Sequence, residues 1–152
     1  MPKEYLLRAL GQGDPGLLEQ LSAASEEVEF EKDQIIFHEH EVCDKFFMIL
    51  SGTVTLEFDV LGRTFVLEEL GPGDELGWSS LLMREEKKFQ ARATSKVHAL
   101  VFNAPLLMDA CVEHPAFGFG LTRRLLDVVS RRLHATRMQL VDAYRQKAKK
   151  AT

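Results

Sequence analysis

Between Val28 and Phe102 the chain is cut into short β-patterned runs at regular spacing, and this limits its fold more than any other feature. The clearest run is Thr53-Val54-Thr55-Leu56-Glu57-Phe58-Asp59-Val60, whose alternation puts Val54, Leu56, Phe58 and Val60 on one face. Leu61-Gly62 then supplies a turn, and Arg63 to Glu69 returns as the second arm of a hairpin. Further strands are predicted at Val28–Glu31, Gln34–His38, Lys45–Leu50, Phe89–Thr94 and Val97–Phe102, with turn signals at Ser51-Gly52 and Gly71-Pro72-Gly73-Asp74. Short strands so evenly spaced suggest a sandwich or jelly roll.

Helical patterns flank this region. Residues 3 to 24 read as short helices broken at Gly11-Gln12-Gly13-Asp14-Pro15-Gly16, with Leu17, Leu18 and Leu21 at helical spacing after the break. Beyond the strands, Asn103 suits the cap of a short helix running to about Val112, and Pro115 suits the first turn of the next. No Pro or Gly follows Gly120, while Leu126, Val129, Leu133, Thr136, Leu140 and Ala143 keep a 3-4 spacing. That is the seam of a helix lying along a partner helix. A helix of about 30 residues spans about 45 Å, too long to rest wholly on a small β domain. A parallel homodimer through this seam is expected, the competing reading being a core helix of a single chain.

At 152 residues the chain is one domain long, expected to divide into a helical opening (1–27), a β roll (28–102), C-terminal helices (103–147) and a basic tail (148–152). Its N-terminus lacks the long apolar stretch of a signal peptide and no run approaches a membrane span, so a cytoplasmic protein is expected. Cys43 and Cys111 read as reduced thiols rather than a disulfide framework. From Leu121 onward nine basic residues face two acidic ones, Asp127 and Asp142, although the whole chain carries −4. This basic segment reads as a solvated helix face, with nucleic acid or an acidic partner as the alternative.

Two stretches invite chemistry. Residues 73–82, GDELGWSSLL, place a glycine and two serines where a strand runs into a short helix, an arrangement suited to an anion, although Trp78 stands in its middle. His38 and His40 are two apart in a strand-like region with Asp44 downstream, so both imidazoles could reach one metal if they share a strand face. Cupin enzymes, also jelly rolls, carry such a pair. However, Lys32 stands where their motif has a leading glycine, and GPGDELGW lacks the later histidine. Neither cysteine has a catalytic motif beside it, and His98 and His134 read as ordinary strand and helix residues.

The order of these parts, with Ile35-Ile36-Phe37, Phe46-Phe47-Met48-Ile49-Leu50-Ser51-Gly52-Thr53-Val54, Leu70-Gly71-Pro72-Gly73-Asp74 and Leu76-Gly77, resembles the cyclic-nucleotide-binding domain of the catabolite-activator type. The similarity covers about residues 5 to 145. It implies an eight-stranded β jelly roll, or double-stranded β-helix, with N-terminal helices and a long C-terminal dimerisation helix. In that family a phosphate-binding cassette reads Phe-Gly-Glu-Leu-Ala-Leu followed by Arg-x-Ala; its glutamate holds the ribose hydroxyl and its arginine the cyclic phosphate. Here Gly77 matches the glycine, Trp78 stands at the glutamate, Ser79 and Ser80 follow, Lys87 stands at the arginine and Phe89 at the alanine. An indole N–H cannot accept the ribose hydrogen bond, and lysine lacks the two-pronged fork that suits phosphate. The resemblance also puts Thr136 where the family contacts the purine across the dimer, and makes the His38–His40 region a surface turn in which His40 replaces a common glycine.

Two readings stay open. In one, Gly77, Ser79 and Ser80 grip an anion, Lys87 or Lys88 neutralises it, and Trp78 or Phe89 stacks on a flat moiety; cAMP, cGMP or another anionic small molecule is the ligand. In the other, Trp78 and Phe89 fill the cavity and the chain is a ligand-free dimerisation or interaction scaffold. Transcription factors of this type continue into a helix-turn-helix domain, absent from this sequence, so sequence-specific DNA binding is not expected. The expectation is a non-enzymatic regulatory module that signals through its dimer helices, by way of Leu126, Val129, Leu133 and Leu140, to a separate effector.

Overall fold

The computed structural model describes residues 14–81, 87 and 89–151, with the backbone alone at Ser79 and Ser80. The predicted helical pattern of residues 3 to 10 and Lys88 lie outside the described residues. Helix α1, Pro15–Ala23, starts at the Gly/Pro break: the Asp14 carboxylate accepts hydrogen bonds from the N–H groups of Gly16 (3.0 Å) and Leu17 (3.1 Å).

Eight strands follow: β1 Ser25–Phe30, β2 Ile35–Phe37, β3 Lys45–Ser51, β4 Val54–Val60, β5 Arg63–Leu70, β6 Glu75–Leu76, β7 Gln90–Ala93 and β8 Val97–Asn103. They form two antiparallel four-stranded sheets, ordered β1-β8-β3-β6 and β2-β7-β4-β5. This is the expected jelly roll. β1 begins three residues before the apolar pattern does because Ser25 already pairs with Phe102; the ladder, not side-chain polarity, sets its start. The two-residue β6 gives no alternation to read and forms by pairing with Phe47 and Met48.

The first sheet is buried on both faces. Phe47, Ile49, Val97, Ala99 and Val101 turn inward to meet Phe37, Val54, Leu56, Leu70, Ala91 and Ala93 of the second sheet. Phe46, Met48, Leu100 and Phe102 turn the other way, onto Leu17, Leu21, Leu107, Ala110 and Phe117 of the helices. Hence Phe46-Phe47-Met48-Ile49-Leu50 is an uninterrupted apolar run. The β4–β5 hairpin departs from the expected single core face. Val54 and Leu56 reach the core, whereas Phe58 is half-buried and Val60 exposed toward the hairpin turn; the bulge lies in β5, where Leu67 is the extra residue opposite Leu56 and Glu57, and it brings Phe65 opposite Phe58.

Asn103 caps helix α2, Ala104–Glu113, its side chain accepting from the Leu106 N–H at 3.0 Å. Helix α3, Pro115–Ala151, has 37 residues and is about 55 Å long. It continues to Ala151, into the segment expected to be a separate basic tail, because no breaker interrupts it. Two stripes run along it. Leu121, Leu125, Val128, Arg132, Ala135 and Gln139 are buried or half-buried toward the body, whereas Leu126, Leu133 and Leu140 stay 68%, 62% and 56% exposed. The core-helix reading of the seam is therefore corrected: its leucines sit outside this chain's own core. No helix among the described residues is long and apolar enough to cross a membrane.

Candidate ligand-binding site

The predicted cassette forms a small hollow at one end of the roll. Phe37 of β2, Leu56 of β4, Gly77, Trp78, Lys87, Phe89 and Arg132 of α3 line it. Gly77 follows β6 with φ +84°; a Cβ there would lie 2.8 Å from the Lys45 carbonyl oxygen and 3.3 Å from Lys87 Nζ. Both the left-handed backbone and the close approach call for glycine. Trp78 to Leu81 then make one turn of 3-10 helix. Four residues align few peptide dipoles, so the helix start expected to attract an anion is weak.

Lys87 does not hang open toward solvent. Its N–H donates to the Glu41 carbonyl and its own carbonyl accepts from the His40 N–H, both at 2.8 Å. Its side chain is turned in and 2% exposed, with Nζ donating to the Gly77 carbonyl oxygen at 3.2 Å and lying 5.0 Å from the Phe37 ring centroid. Burial lowers the ammonium's pKa from the usual lysine range, opposed by the nearby charges of Cys43 and Glu41. The turn that holds Lys87 contains His40 at φ +68°, in keeping with a position that elsewhere favours glycine.

The aromatic residues divide their roles. Trp78 packs against the helical core and Phe89 against the inter-sheet core, while both also line the hollow. Together with Lys87 and Arg132 they leave a cavity of about 20 Å³, room for about one water molecule. The side chains of Ser79 and Ser80 are outside the description.

Arg132 was not singled out by its sequence context. It is 6% exposed; Nε donates to Glu68 Oε2 at 3.2 Å and Nη2 to the Glu75 carbonyl at 2.8 Å. Arg124 pairs with the Glu75 carboxylate and donates to the Gly73 carbonyl at 2.8 Å, so two arginines of α3 tie the helix to the turn before the cassette. Glu75 is itself buried, and desolvation raises its pKa against the opposing pull of Arg124. A signal was present: Arg132 interrupts the inner stripe between Val128 and Ala135, where a charge needs a buried partner.

Thr136 is not in this hollow. Its hydroxyl donates to the Arg132 carbonyl at 2.8 Å, and the residue borders a separate groove of about 680 Å³ between the β4–β5 hairpin and α3, to which Phe89 also contributes. The histidine pair considered above as a metal site, and not adopted, does not share a strand face. β2 ends at Phe37, so His38 and His40 fall in a turn where strand alternation no longer aligns them. Among the described residues no three His, Cys, Asp or Glu side chains gather to hold a metal ion.

The family model for the cyclic nucleotide-binding domain matches residues 27–114, more than half of the chain. The chain belongs to the cyclic nucleotide-binding domain family. It is 28% identical over 142 residues to a CRP-like cAMP-activated global transcriptional regulator of Mycobacterium tuberculosis, covering 91% of this chain and 62% of the relative. The HTH-type transcriptional regulator Cmr of the same organism is 25% identical over 142 residues, covering 90% and 57%. This chain thus spans less than two thirds of either relative's length. Among solved structures, a putative cyclic nucleotide-binding protein from Geobacter metallireducens superposes with a TM-score of 0.70 at 27% identity, covering 88% of this chain and 99% of that one. The Thermus thermophilus catabolite activator protein superposes with a TM-score of 0.68 at 22% identity, covering 86% and 61%.

Proposed function

We propose that this chain is a non-enzymatic, small-molecule-sensing regulatory module that acts as a homodimer and passes its signal along α3 to a separate effector. One observation carries the reading: Arg132 is both a wall of the cassette hollow and a tie between α3 and the roll, through Glu68 and Glu75. A ligand entering the hollow has to displace or engage that guanidinium, which changes how α3 is held. Ligand binding is coupled to helix position to the extent that the ligand binds one arrangement better than the other. The exposed stripe of Leu126, Leu133 and Leu140 supports a parallel two-helix seam.

The same geometry argues against a standard cyclic nucleotide as the resting occupant. A cavity of about 20 Å³ has no room for a cyclic phosphate and ribose, and Trp78 and Lys87 lack the acceptor and the fork that the resemblance would call for. This filled hollow also favours the second reading, a ligand-free scaffold using the same dimer seam.

Sedimentation of the purified protein at micromolar concentration, with calorimetric titration of cAMP and cGMP, tests the proposal. The expected result is a dimer with no micromolar binding of either nucleotide. A monomer overturns the signalling route; tight cyclic nucleotide binding overturns the filled cradle and returns the ligand to the standard class.

A further inference from the structure

The two-residue strand β6 divides its side chains between two layers. Leu76 pairs with Phe47 and belongs to the inter-sheet core, so Glu75, paired with Met48, turns to the opposite face, under the helices. The residues that the first sheet sends the same way are Phe46, Met48, Leu100 and Phe102. Glu75 is thus a carboxylate in an apolar layer, 3% exposed.

Charges from three elements meet there. Arg124 of α3 pairs with the Glu75 carboxylate and also donates to the Gly73 carbonyl at 2.8 Å. Arg132 donates to the Glu75 carbonyl at 2.8 Å and pairs with Glu68 of β5 at 3.2 Å. Arg131 lies 3.9 Å from Asp74, the residue before Glu75, and 3.9 Å from Asp127. The strand opposite Glu75 offers the uncharged Met48. The central ion pair is lopsided: the carboxylate is out of water, whereas the Arg124 side chain is 47% exposed. Solvent screens the attraction, but the carboxylate bears the full loss of hydration. Burial therefore raises the Glu75 pKa above the ordinary 4.5 in spite of Arg124, and Asp74 adds to the rise.

We infer that Glu75 makes the seating of α3 on the roll pH-dependent: the helix is held more firmly when this carboxyl carries its proton and is released more readily once it is ionised. The linkage has one sign. Lifting α3 hydrates Glu75 and returns it to an ordinary carboxylate, so the seated form binds the proton at higher pH than the lifted form. From 4.5 upward, rising pH therefore shifts the balance toward lifting. The inference rests on the signalling route along α3 proposed above and names the proton as one of its inputs.

Glu75→Gln, which gives a neutral side chain of the same shape, tests it. Hydrogen exchange of α3 from Phe117 to Arg131, corrected for the intrinsic pH dependence of exchange, is compared between wild type and variant at neutral pH and at pH 4.5. Acid also weakens the Glu68–Arg132 and Asp74–Arg131 pairs, in both proteins alike, so the difference between the two isolates Glu75. The variant is expected to be protected at least about threefold more than the wild type at neutral pH, with the gap narrowing toward acid. A variant protected equally or less at neutral pH, or a gap that does not change with pH, overturns the inference. Carboxyl carbon-13 spectra of the wild type decide the matter without relying on the variant's fold: a Glu75 signal that titrates above 4.5 supports the inference, and one at or below 4.5 overturns it. Sedimentation of the same samples separates the two proposals. A monomer that shows the pH-dependent gap supports the titrating seat and overturns the dimeric signalling route, whereas a dimer without the gap overturns the seat alone.

Discussion

The ammonium of Lys87 donates to the carbonyl oxygen of Gly77 at 3.2 Å, so the cassette's cation is bonded to the cassette's own glycine. Among the described residues no carboxylate lies within ion-pair distance of that ammonium; its other neighbour is the Phe37 ring face. The hollow is therefore occupied from within, by a desolvated charge that Glu41 offsets only at longer range.

Lys87→Met should stabilise the fold. It keeps length and volume and removes a buried charge, for an expected gain of roughly 1–2 kcal/mol at neutral pH. The pH dependence has a definite sign. Because the folded-state pKa is below the usual 10.5, the unfolded chain binds more protons between those two values, and stability rises with pH across that window. The variant should lack this rise. Chemical denaturation of both proteins from neutral to alkaline pH measures it.

Gly77→Ala should be among the most damaging small substitutions. The left-handed backbone costs about 1–2 kcal/mol for a residue with a Cβ. The Lys45 carbonyl, 2.8 Å from the added carbon, is backbone and cannot swing aside. A total loss of roughly 2–4 kcal/mol is expected, read as a shift in the urea midpoint with unchanged slope; a change below about 1 kcal/mol would show that the turn is not held as described.

Arg132→Ala strands the Glu68 carboxylate and the Glu75 carbonyl against a buried surface. A loss of about 3 kcal/mol is expected. Hydrogen exchange should locate it, with the Arg132-to-Ala151 half of α3 losing protection before the two sheets do. Uniform loss over the whole chain would mean that Arg132 is not the tie.

Leu126→Glu combined with Leu133→Glu should leave the monomer folded, because both side chains are more than half exposed. Like charges one heptad apart on each helix would oppose pairing. A dimer-to-monomer shift in sedimentation with little change in circular dichroism is expected; persistent dimers would place the interface elsewhere.

Much of this protein was legible along the chain because it depends on neighbours in sequence. The alternation from Thr53 to Val60 and the Leu61-Gly62 turn specify a hairpin, Asn103 and Pro115 set helix starts, and the 3-4 spacing from Leu126 to Ala143 marks an exposed apolar stripe. Gly77 could be read in the same way from the motif around it. What no local pattern contained was the destination of long polar side chains. The inward turn of Lys87 depends on space between Phe37 and Gly77, residues 50 and 10 positions away. The burial of Arg132 depends on partners at Glu68 and Glu75. The groove exists because one hairpin and a helix some 70 residues later come to face each other. Backbone pattern follows from short-range hydrogen bonding and polarity, whereas the filling of a cavity and the pairing of a buried charge are settled only when distant surfaces meet.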